Sequence, residues 1–489
     1  MKLSSLLQGI CSQPIPQELQ DVAITSITQD SRQVQPGTLF FSVDGCAAHL
    51  REAEEKGAAI LVSSQSHSHS PVLTAENPRL AYSLACSRFY GSPASRLCLI
   101  GVTGTNGKTS ISFLIHHILT CCGIKTGLIG TVYNKIGAVE LPAHYTTPDA
   151  AQLHQLLAKM EEAGCTHVVL EASSHALAQH RLAGCVFDCA AFSNLTQDHL
   201  DYHKTMENYY QAKRQLFRQA RQAVLNWDDE SGRRLYQENL CPSAVYTVQG
   251  DSAKTDYAAV NIQPHARGSR FLFLARQGKE QVVLPMPGRF SVENAVAALG
   301  TACQLGVPLQ DAAQSLACCP GVPGRMEVLP AGADFTVMRD YAHTADGLEK
   351  VLSMVRETTE GRIITLFGCA GQRDRTKRRE MGAMAARYSD LVILTSDNPR
   401  QEPEEQIAQD TIPGLKEYKT PYQVILNREE AIACAFAQCQ RGDVLLLAGK
   451  GHEDYQALKD KTVYFNERDL VARLAGTIEK NGGTAYNNL

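Results

Sequence analysis

Short apolar runs alternate with longer amphipathic stretches along most of this chain. Residues 97–102 (LCLIGV) and 362–368 (RIITLFG) are apolar runs of strand length, bounded by Gly or polar residues, which indicates buried β-strands. By contrast, residues 146–164 (TTPDAAQLHQLLAKMEEAG) have helical periodicity, with Thr147 as the predicted cap, Pro148 at the first position and a glycine at the end. Strands that alternate with helices predict an α/β protein with parallel sheets covered by helices on both faces.

The 489 residues are too many for a single hydrophobic core, since domains usually contain about 100–200 residues. The first ninety residues predict a small α/β module, in which the strands TLFFSV and AAILVSS flank a helix that ends at Gly57. A linker-like stretch, SPASRL, follows, and a further domain begins around GVPGRMEVLP. We therefore predict three domains, at residues 1–92, 93–325 and 326–489.

Composition and charge restrict the class of protein. Hydrophobic residues make up 44% of the chain, and the net charge of −4 gives no electrostatic reason to bind nucleic acid or an acidic membrane surface. The start, MKLSSLLQGICSQPIP, is too polar for a signal peptide, and no apolar run approaches the roughly 18 residues of a membrane span. The 16 cysteines include no CxxC and predict neither a zinc site nor a disulfide framework. We expect a cytoplasmic protein without nucleic-acid or membrane partners.

A glycine-rich loop, GVTGTNGKTS, spans residues 101–110 between a predicted strand and a predicted helix. Backbone N–H groups of such a loop and the positive end of the helix bind phosphate oxygens. Lys108 would reach the outer phosphates, and the Thr109 hydroxyl would hold Mg²⁺. Val102 stands where GxxxxGK[ST] has its first Gly, so the loop is a variant, and a turn without a ligand is the alternative. The loop alone is compatible with a kinase, a GTPase or a ligase, although NKIG (134–137) lacks the Asp of a GTPase base-reading motif.

Three further places carry candidate chemistry, and each has a structural alternative. Glu171 follows a predicted strand and could bind a hard cation, although a single Glu there is more often a surface residue. NLTQDHLDYH (194–203) packs two Asp and two His into a stretch that could equally be a solvated loop. Lys213 lies in a helical stretch, ENYYQAKRQLF, and by itself is typical of a surface lysine.

Three apolar strands in the last third of the chain each run into a polar cluster. RIITLFG, DLVILTS and DVLLLAG lead directly into CAGQRDRTKRRE, DNPRQEPEE and KGHEDYQ. Ligands of open α/β sheets bind at the carboxyl ends of the strands. We therefore expect these three ends to form one shared pocket.

Taken in order, GVTGTNGKT, EASSHAL, NLTQDHLDYH and YYQAKRQLF resemble the Mur ligases, ATP-dependent enzymes that build the peptide stem of peptidoglycan. The resemblance continues through GRFSVENAVAAL, GVPGRME, RDYAHTADGL, TSDNPR and AGKGHEDYQ, so it spans nearly the whole chain. It is strongest with the members that add diaminopimelate. It implies a three-domain α/β architecture, with a central phosphate-loop domain on a parallel sheet and a Rossmann-like C-terminal domain.

The resemblance also implies roles for individual residues. Lys108, Glu171, His199 and Lys213 would be catalytic, and Lys213 would carry CO₂ as a carbamate that binds Mg²⁺ together with Thr109, Glu171 and His199. The ATP-binding residues would be Gly104, Thr105, Asn106, Gly107, Lys108, Thr109, Asn294, Arg325, Asp340 and His343. The residues for the UDP-muramyl dipeptide would be Asp30, Ser31, Arg32, Thr146, Thr147, Ser173, Gln179 and Arg181. Those for diaminopimelate would be Arg373, Asp397, Asn398, Pro399, Arg400, Gly449 and Glu453.

The implied activity is the addition of meso-2,6-diaminopimelate to UDP-N-acetylmuramoyl-L-alanyl-D-glutamate by a monomeric enzyme. ATP would phosphorylate the glutamyl carboxylate to an acyl phosphate, which the incoming amine then attacks. A folate polyglutamate ligase has the same chemistry, but the stretches DNPR, TTPDA and SSHALAQHR argue against it. A non-catalytic relative that only binds nucleotide or muropeptide is a second alternative, against which the retained lysines, Glu and His speak.

Overall fold

The computed structural model describes residues 1–64, 72–265, 268–332 and 334–480. Within these residues the strands form sheets of four, eleven and six strands and one two-stranded ribbon. Each sheet is built from one continuous part of the sequence, and helices lie between most of the parallel strands. The predicted α/β class is confirmed. Among the helices of the described residues, none has the length and apolar character that crossing a membrane requires.

The first sheet is parallel throughout, with its strands in the order of the chain. Its elements are α1 (Leu3–Leu7), β1 (Ser26–Thr28), β2 (Thr38–Phe41), α2 (Ala47–Glu55), β3 (Ile60–Ser63), β4 (Val72–Thr74) and α3 (Pro78–Phe89). The predicted strands TLFFSV and AAILVSS correspond to β2 and β3, and α2 is the helix predicted between them. Gly57, just after α2, has a φ of 81°, which suits glycine at a helix end.

The second sheet has a parallel centre, in which β5 lies between β10 and β9. The first half of its elements is β5 (Cys98–Thr103), α4 (Lys108–Cys121), β6 (Thr126–Ile129), β7 (Tyr133–Ile136), β8 (Val139–Pro142), α5 (Ala150–Glu162), β9 (His167–Glu171), α6 (Ser174–Ala178), β10 (Cys189–Phe192) and α7 (Leu200–His203). The second half is α8 (Met206–Arg218), β11 (Ala223–Asn226), α9 (Glu230–Glu238), β12 (Ser243–Thr247), β13 (Tyr257–His265), β14 (Gly268–Ala275), β15 (Gly278–Leu284), α10 (Arg289–Gln304) and α11 (Leu309–Ser315).

Helices cover both faces of this sheet, as predicted. Along β5, Ile100 and Val102 pack into the core beneath α4 and α10, whereas Leu99 packs into the opposite core with α5 and α8. The antiparallel strands β7, β8, β14 and β15 at the two edges were not predicted from the sequence. In β14 and β15 buried residues (Phe271, Phe273, Val282 and Leu284) alternate with more exposed ones such as Val283, as expected for strands that are covered on one face only.

The predicted start of α5 is wrong by two residues. Asp149, not Thr147, caps this helix, and its carboxylate accepts from the Gln152 N–H at 2.8 Å. Thr147 is buried, and its hydroxyl donates to the carbonyl oxygen of Glu171 at 2.7 Å. The Thr147 hydroxyl, predicted to cap α5, therefore forms its hydrogen bond with the end of β9.

The third sheet is parallel except for the pair β16–β17, in the order β16-β17-β21-β18-β19-β20. Its elements are β16 (Glu327–Leu329), β17 (Thr336–Asp340), α12 (Ala345–Thr358), β18 (Ile363–Phe367), α13 (Lys377–Tyr388), β19 (Leu391–Leu394), α14 (Glu404–Leu415), β20 (Tyr422–Val424), α15 (Arg428–Gln438), β21 (Val444–Ala448), the ribbon β22 (Tyr455–Ala457) with β23 (Thr462–Tyr464), and α16 (Glu467–Lys480). The three strands that lead into polar clusters, β18, β19 and β21, are neighbours. Their carboxyl ends therefore meet at one edge, which confirms that expectation.

A buried guanidinium ties two of these strand ends together. Arg428 Nε donates to Glu467 at 2.9 Å, and its Nη1 and Nη2 donate to the carbonyl oxygens of Ser396 (3.1 Å) and Ala448 (3.0 Å). Both charged side chains are fully buried. The residues that follow these carbonyls are Asp397 and Gly449, both predicted substrate residues, so Arg428 fixes the backbone directly before each of them.

We expect Arg428→Met to lower the free energy of unfolding by about 3–5 kcal/mol, because Glu467 would keep a buried charge without its partner. Denaturant unfolding measures this loss. The matched control is Arg473→Met, which removes an exposed ion pair with Glu429 between the same two helices, α15 and α16, and should cost at most about 1 kcal/mol. Equal losses in the two variants would contradict the structural role of the buried pair.

Candidate active site

The loop between β5 and α4 has the geometry of a phosphate-binding loop. Gly104 and Gly107 have φ values of 152° and 85°. A Cβ on Gly104 would lie 1.8 Å from Ser193 Oγ, and one on Gly107 would lie 2.4 Å from Asn294 Oδ1, so both positions require glycine. Because α4 begins at Lys108, its unpaired N–H groups face the loop. The predicted arrangement of strand, loop and helix is confirmed.

Two lysines converge on one carbonyl of this loop. Lys108 Nζ donates to the carbonyl oxygens of Gly104 (2.9 Å) and Thr105 (2.8 Å), and Lys213 Nζ donates to that of Gly104 at 2.6 Å. Lys213 is 1% exposed, so its interpretation as a surface lysine is wrong. Burial lowers the pKa of both amines, and for Lys213 the nearby Lys108 charge lowers the pKa further. A buried pair of amines beside a phosphate loop is suited to an anion.

Glu171 lies at the end of β9 and is completely buried, so it is not a surface residue. Its Oε2 accepts from the hydroxyls of Thr109 (3.0 Å) and Thr131 (2.9 Å), and its Oε1 accepts from the Thr131 N–H at 2.8 Å. Arg325 Nη2 donates to Thr109 Oγ1 at 3.2 Å. The predicted residues Thr109, Glu171 and Arg325 therefore form one hydrogen-bonded group, which also includes Thr131, a residue that sequence analysis missed.

His199 faces the same cleft and has a positive φ of 55°. Burial lowers the pKa of His199 to about 3, so the imidazole is neutral at pH 7 and can act as a ligand. Its neighbour Asp198 is buried and lies 3.4 Å from Lys377 Nζ and 3.7 Å from His343 Nε2. Burial raises the pKa of Asp198, but the contact with His343 and the charge of Lys377 outweigh it and hold that pKa well below its usual range.

These contacts join the second sheet to the third. Asp198 comes from the segment after β10, whereas Lys377 begins α13, and Asn106 Nδ2 also donates to Asp346 of α12 at 2.8 Å. Sequence analysis missed Asp198 and Lys377 as site residues. Both lie inside polar clusters that it singled out, but only the fold shows which member of each cluster points inward.

One cleft of about 260 Å³ lies between the phosphate loop and the strand ends of the third sheet. Most of the predicted site residues line it. They are Thr105, Asn106, Gly107, Lys108, Thr109, Thr146, Glu171, Ser173, His199, Lys213, Arg325, His343, Arg373, Asp397, Asn398, Arg400, Gly449 and Glu453. An adjoining cavity shares Asn106, Gly107 and Thr109 with it and adds Asn294 and Asp340, together with apolar Phe290 and Val351.

The wall formed by the third sheet carries both signs of charge. Lys450 is fully buried, donates to Asn398 Oδ1 at 3.1 Å, and lies 3.4 Å from both Asp397 and Glu453. Sequence analysis did not single out Lys450, although it belongs to the quoted stretch KGHEDYQ. Two carboxylates against one ammonium leave a net negative charge at this point. Burial and the Asp397 charge raise the pKa of Glu453.

Two guanidinium groups lie near these carboxylates. Arg400 has a positive φ of 55°, donates to the carbonyl oxygen of Gly371 at 2.8 Å and is half-buried. Burial and the charge of Arg373 lower the pKa of Arg400. In the part of the chain that the structure describes, neither Arg373 nor Arg400 forms an ion pair. Pro399 lies in the turn before Arg400, where its carbonyl oxygen accepts from the Glu402 N–H.

The remaining predicted residues lie outside this cleft. Arg181 Nη1 donates to the Thr147 carbonyl oxygen at 2.9 Å, and its Nε and Nη2 donate to Gln179 Oε1. Because the Thr147 hydroxyl donates to the Glu171 carbonyl oxygen, Arg181 and Gln179 are linked to Glu171 through Thr147. Ser31 is in a separate open pocket of about 490 Å³ in the first sheet's part of the chain, where its hydroxyl donates to Glu52 at 2.6 Å. Asp30 and Arg32 line the same pocket and form an ion pair.

The chain is similar to known proteins along nearly its whole length. Residues 102–302 match the Mur ligase middle domain, and residues 324–451 match the Mur ligase, glutamate ligase domain. A protein of Clostridium acetobutylicum named UDP-N-acetylmuramoyl-L-alanyl-D-glutamate–2,6-diaminopimelate ligase 1 is 39% identical over 96% of this chain and 98% of its own. A Listeria monocytogenes ligase of the same activity is 41% identical over 99% of this chain and 100% of its own.

Solved structures agree with these matches. A structure named for the same diaminopimelate ligase is 32% identical, covers 98% of this chain and 100% of that chain, and superposes with a TM-score of 0.69. A MurF ligase from Thermotoga maritima in complex with ADP has a TM-score of 0.63 over 94% of this chain and 99% of its own. At 17% identity, the second likeness shows a shared fold.

Proposed function

Because the chain belongs to the Mur ligase family, we propose that it adds meso-2,6-diaminopimelate to UDP-N-acetylmuramoyl-L-alanyl-D-glutamate at the expense of ATP. The observation that carries this proposal is a single cleft that has a phosphate loop on one side and a pair of guanidinium groups on the other. A phosphate donor and a substrate with a free carboxylate can therefore meet in it. We further propose that residues 1–92 bind the UDP group, residues 93–325 bind ATP and residues 326–489 bind the amino acid, in a cytoplasmic monomer.

The proposed reaction proceeds in two steps. Phosphoryl transfer from ATP to the glutamyl carboxylate gives ADP and an acyl phosphate, in which phosphate is a far better leaving group than oxide. The amine of diaminopimelate then attacks the acyl carbon, loses a proton and expels phosphate. Lys108, next to the loop carbonyls, is suited to hold the transferring phosphate and the developing oxyanion.

The residues around Glu171 fit Mg²⁺. This carboxylate is buried, and its three hydrogen-bond donors are neutral groups, so it offers a hard cation a negative charge that no direct hydrogen-bond partner neutralises. We propose Thr109, Glu171, His199 and a carbamate on Lys213 as its ligands. A bound Mg²⁺ would neutralise charge on the phosphate groups. The neutral imidazole of His199 is compatible with this role.

The environment of Lys213 favours carbamate formation. The ammonium group must first lose one proton. The neutral nitrogen can then bond to the carbon of CO₂, and loss of a second proton from the nitrogen leaves the carbamate anion. Burial and Lys108 lower the pKa of Lys213 and so supply the neutral amine. The product is an anion beside Lys108, which removes the repulsion between two ammonium groups.

The far wall of the cleft fits the distal end of diaminopimelate. Lysine lacks the carboxylate that diaminopimelate carries beside its second amine, and a guanidinium binds a carboxylate through two parallel hydrogen bonds. Arg400 and Arg373 are therefore proposed to bind that carboxylate. Asp397 and Glu453 are two carboxylates beside the single ammonium group of Lys450, so they are suited to bind the distal ammonium of diaminopimelate as well. A site built this way rejects lysine, often by ~10⁴-fold, because its own charges would stay unpaired.

The proposal is tested with an amino-acid panel, using the purified protein, ATP, Mg²⁺ and UDP-N-acetylmuramoyl-L-alanyl-D-glutamate, with product mass and released phosphate as readouts. We expect phosphate release that requires both the muramyl dipeptide and an amine, and a product that contains meso-diaminopimelate. No release with any amine would favour a non-catalytic binding protein. Addition of L-lysine as fast as meso-diaminopimelate would contradict the assignment of the far wall, whereas the ligase proposal would stand.

Arg400→Ala is expected to lower kcat/KM for meso-diaminopimelate by the equivalent of about 2–5 kcal/mol, because the distal carboxylate loses a half-buried guanidinium partner. Titration with ATP should give unchanged affinity, since Arg400 belongs to the opposite wall. The control is Arg379→Ala, which removes an exposed pair with Glu417 on the outside of the same domain. If Arg400→Ala retained normal addition, Arg400 would not bind the amino acid, and its hydrogen bond to the Gly371 carbonyl oxygen would be its remaining contact.

A further inference from the structure

A group of soft ligands lies at the end of α4 that is remote from the phosphate loop. His117 and Cys121 are four residues apart and so lie on one face of this helix. Cys318 ends the short 3₁₀ turn Leu316–Cys318 that follows α11. The distance along α4 from Lys108 to Cys121 is roughly 20 Å at 1.5 Å per residue, so the group is separate from the cleft.

The distances within the group match those around a tetrahedral metal ion. His117 Nε2 lies 3.5 Å from Cys121 Sγ and 3.8 Å from Cys318 Sγ, and the three ligand atoms all lie within 4.8 Å of one another. Metal–sulfur bonds of about 2.3 Å and metal–nitrogen bonds of about 2.1 Å place tetrahedral N and S ligands roughly 3.6 Å apart. One ion can therefore contact all three atoms with little movement.

A backbone oxygen is available near the fourth corner. The Ser315 carbonyl oxygen lies 2.9 Å from His117 Nε2 and 3.2 Å from Cys318 Sγ, and it accepts the hydrogen of the Cys318 thiol. Binding of a divalent ion would remove the thiol protons of Cys121 and Cys318 and leave the imidazole proton on Nδ1. Two protons are then released for each ion bound, and the metal bonds replace the hydrogen bonds to Ser315.

We propose that His117, Cys121 and Cys318 form a binding site for a soft or borderline metal ion, with Zn²⁺ as the representative ion. Two thiolates and an imidazole favour such ions, whereas the oxygen ligands of the cleft favour Mg²⁺. Both cysteines are exposed, so the ion has free access. A bound ion would link the end of α4 to the 3₁₀ turn that contains Cys318. Occupancy of the site should therefore raise the melting temperature of the protein.

Co²⁺ is the probe for the test, because its thiolate complexes absorb in the near ultraviolet and its tetrahedral complexes absorb strongly in the visible. The full-length protein is titrated under a phosphine reductant, so that no disulfide between Cys121 and Cys318 can form. We expect one equivalent of Co²⁺ to give both bands, and one equivalent of Zn²⁺ to abolish them and raise the melting temperature. Absence of both bands in the reduced protein would overturn the proposal.

Single variants identify the ligands. Cys121→Ser, Cys318→Ser and His117→Gln should each lose the tetrahedral spectrum and the stabilisation by Zn²⁺. The matched control is Cys122→Ser, at the next residue of the helix end, which should keep both. All four variants should retain Mg²⁺-dependent ligation, because the group is remote from the cleft. Full retention of the spectrum in Cys121→Ser and Cys318→Ser, or an equal loss in Cys122→Ser, would contradict the proposed ligand set.

Discussion

Lys213→Ala is expected to reduce ligation by roughly 10²–10³-fold or more, in the range seen when a preorganised electrostatic contact is removed from an active site. The substitution removes the proposed carbamate and with it one anionic ligand for Mg²⁺. It also removes the hydrogen bond to the Gly104 carbonyl oxygen. Turnover is measured as phosphate release and as product mass at saturating ATP.

The rescue experiment separates an anionic Lys213 from a cationic one. Ala leaves space in a fully buried site, so formate or acetate should enter it and partly restore activity if the residue acts as a carbamate. Restoration by methylammonium instead would show that the ammonium contact with the loop is what matters. The matched control, Arg214→Ala on the same helix, removes a side chain that faces Glu238 and should leave turnover unchanged.

Lys108→Ala is expected to abolish phosphoryl transfer while the fold remains intact. The side chain contacts loop carbonyls and lines the cleft, so its loss should enlarge the cleft and not open a cavity in the core. Single-turnover phosphate release should fall by at least ~10²-fold, because no other residue of the loop supplies a cation. Near-normal ligation by Lys108→Ala would contradict the proposed role of Lys108 in phosphoryl transfer.

A surface lysine provides the comparison for this variant. Lys135→Ala removes a partly exposed pair with Glu140 on the β7–β8 hairpin, which should change neither turnover nor melting temperature. If the melting curves of Lys108→Ala matched those of the wild type, the loss of turnover would be due to the missing ammonium group and not to unfolding. A large fall in melting temperature would instead assign the loss to folding.

Local sequence was sufficient to predict those parts of the fold that depend on one continuous stretch of residues. The glycines of the phosphate loop, the strand before it and the helix after it are contiguous, so backbone requirements and hydrophobic periodicity predict them together. The shared edge of β18, β19 and β21 followed from the rule that ligands bind at carboxyl strand ends. The family resemblance then favoured a functional role for Glu171 and Lys213, whose own surroundings in the sequence were more typical of surface residues.

Residues whose role depends on a distant partner were not predictable from local pattern. Asp198 and Asp201 are equivalent in the sequence, and only the approach of Lys377 from the third sheet distinguishes them. The start of α5 was misplaced because Thr147 bonds to a strand that lies later in the chain. His117 and Cys318 are 201 residues apart, so no cysteine spacing could reveal that group.

The contacts between the second and third sheets across the cleft have a consequence for turnover. Asp198 with Lys377 and His343, and Asn106 with Asp346, are polar pairs whose groups water can satisfy equally well. Each such hydrogen bond contributes a net stability of only about 0.5–1.5 kcal/mol. Product escape therefore needs no exposure of apolar core at these points. Because Asp198 and Lys377 are both buried, added salt should screen their pair little, and the rate of product release should depend only weakly on ionic strength.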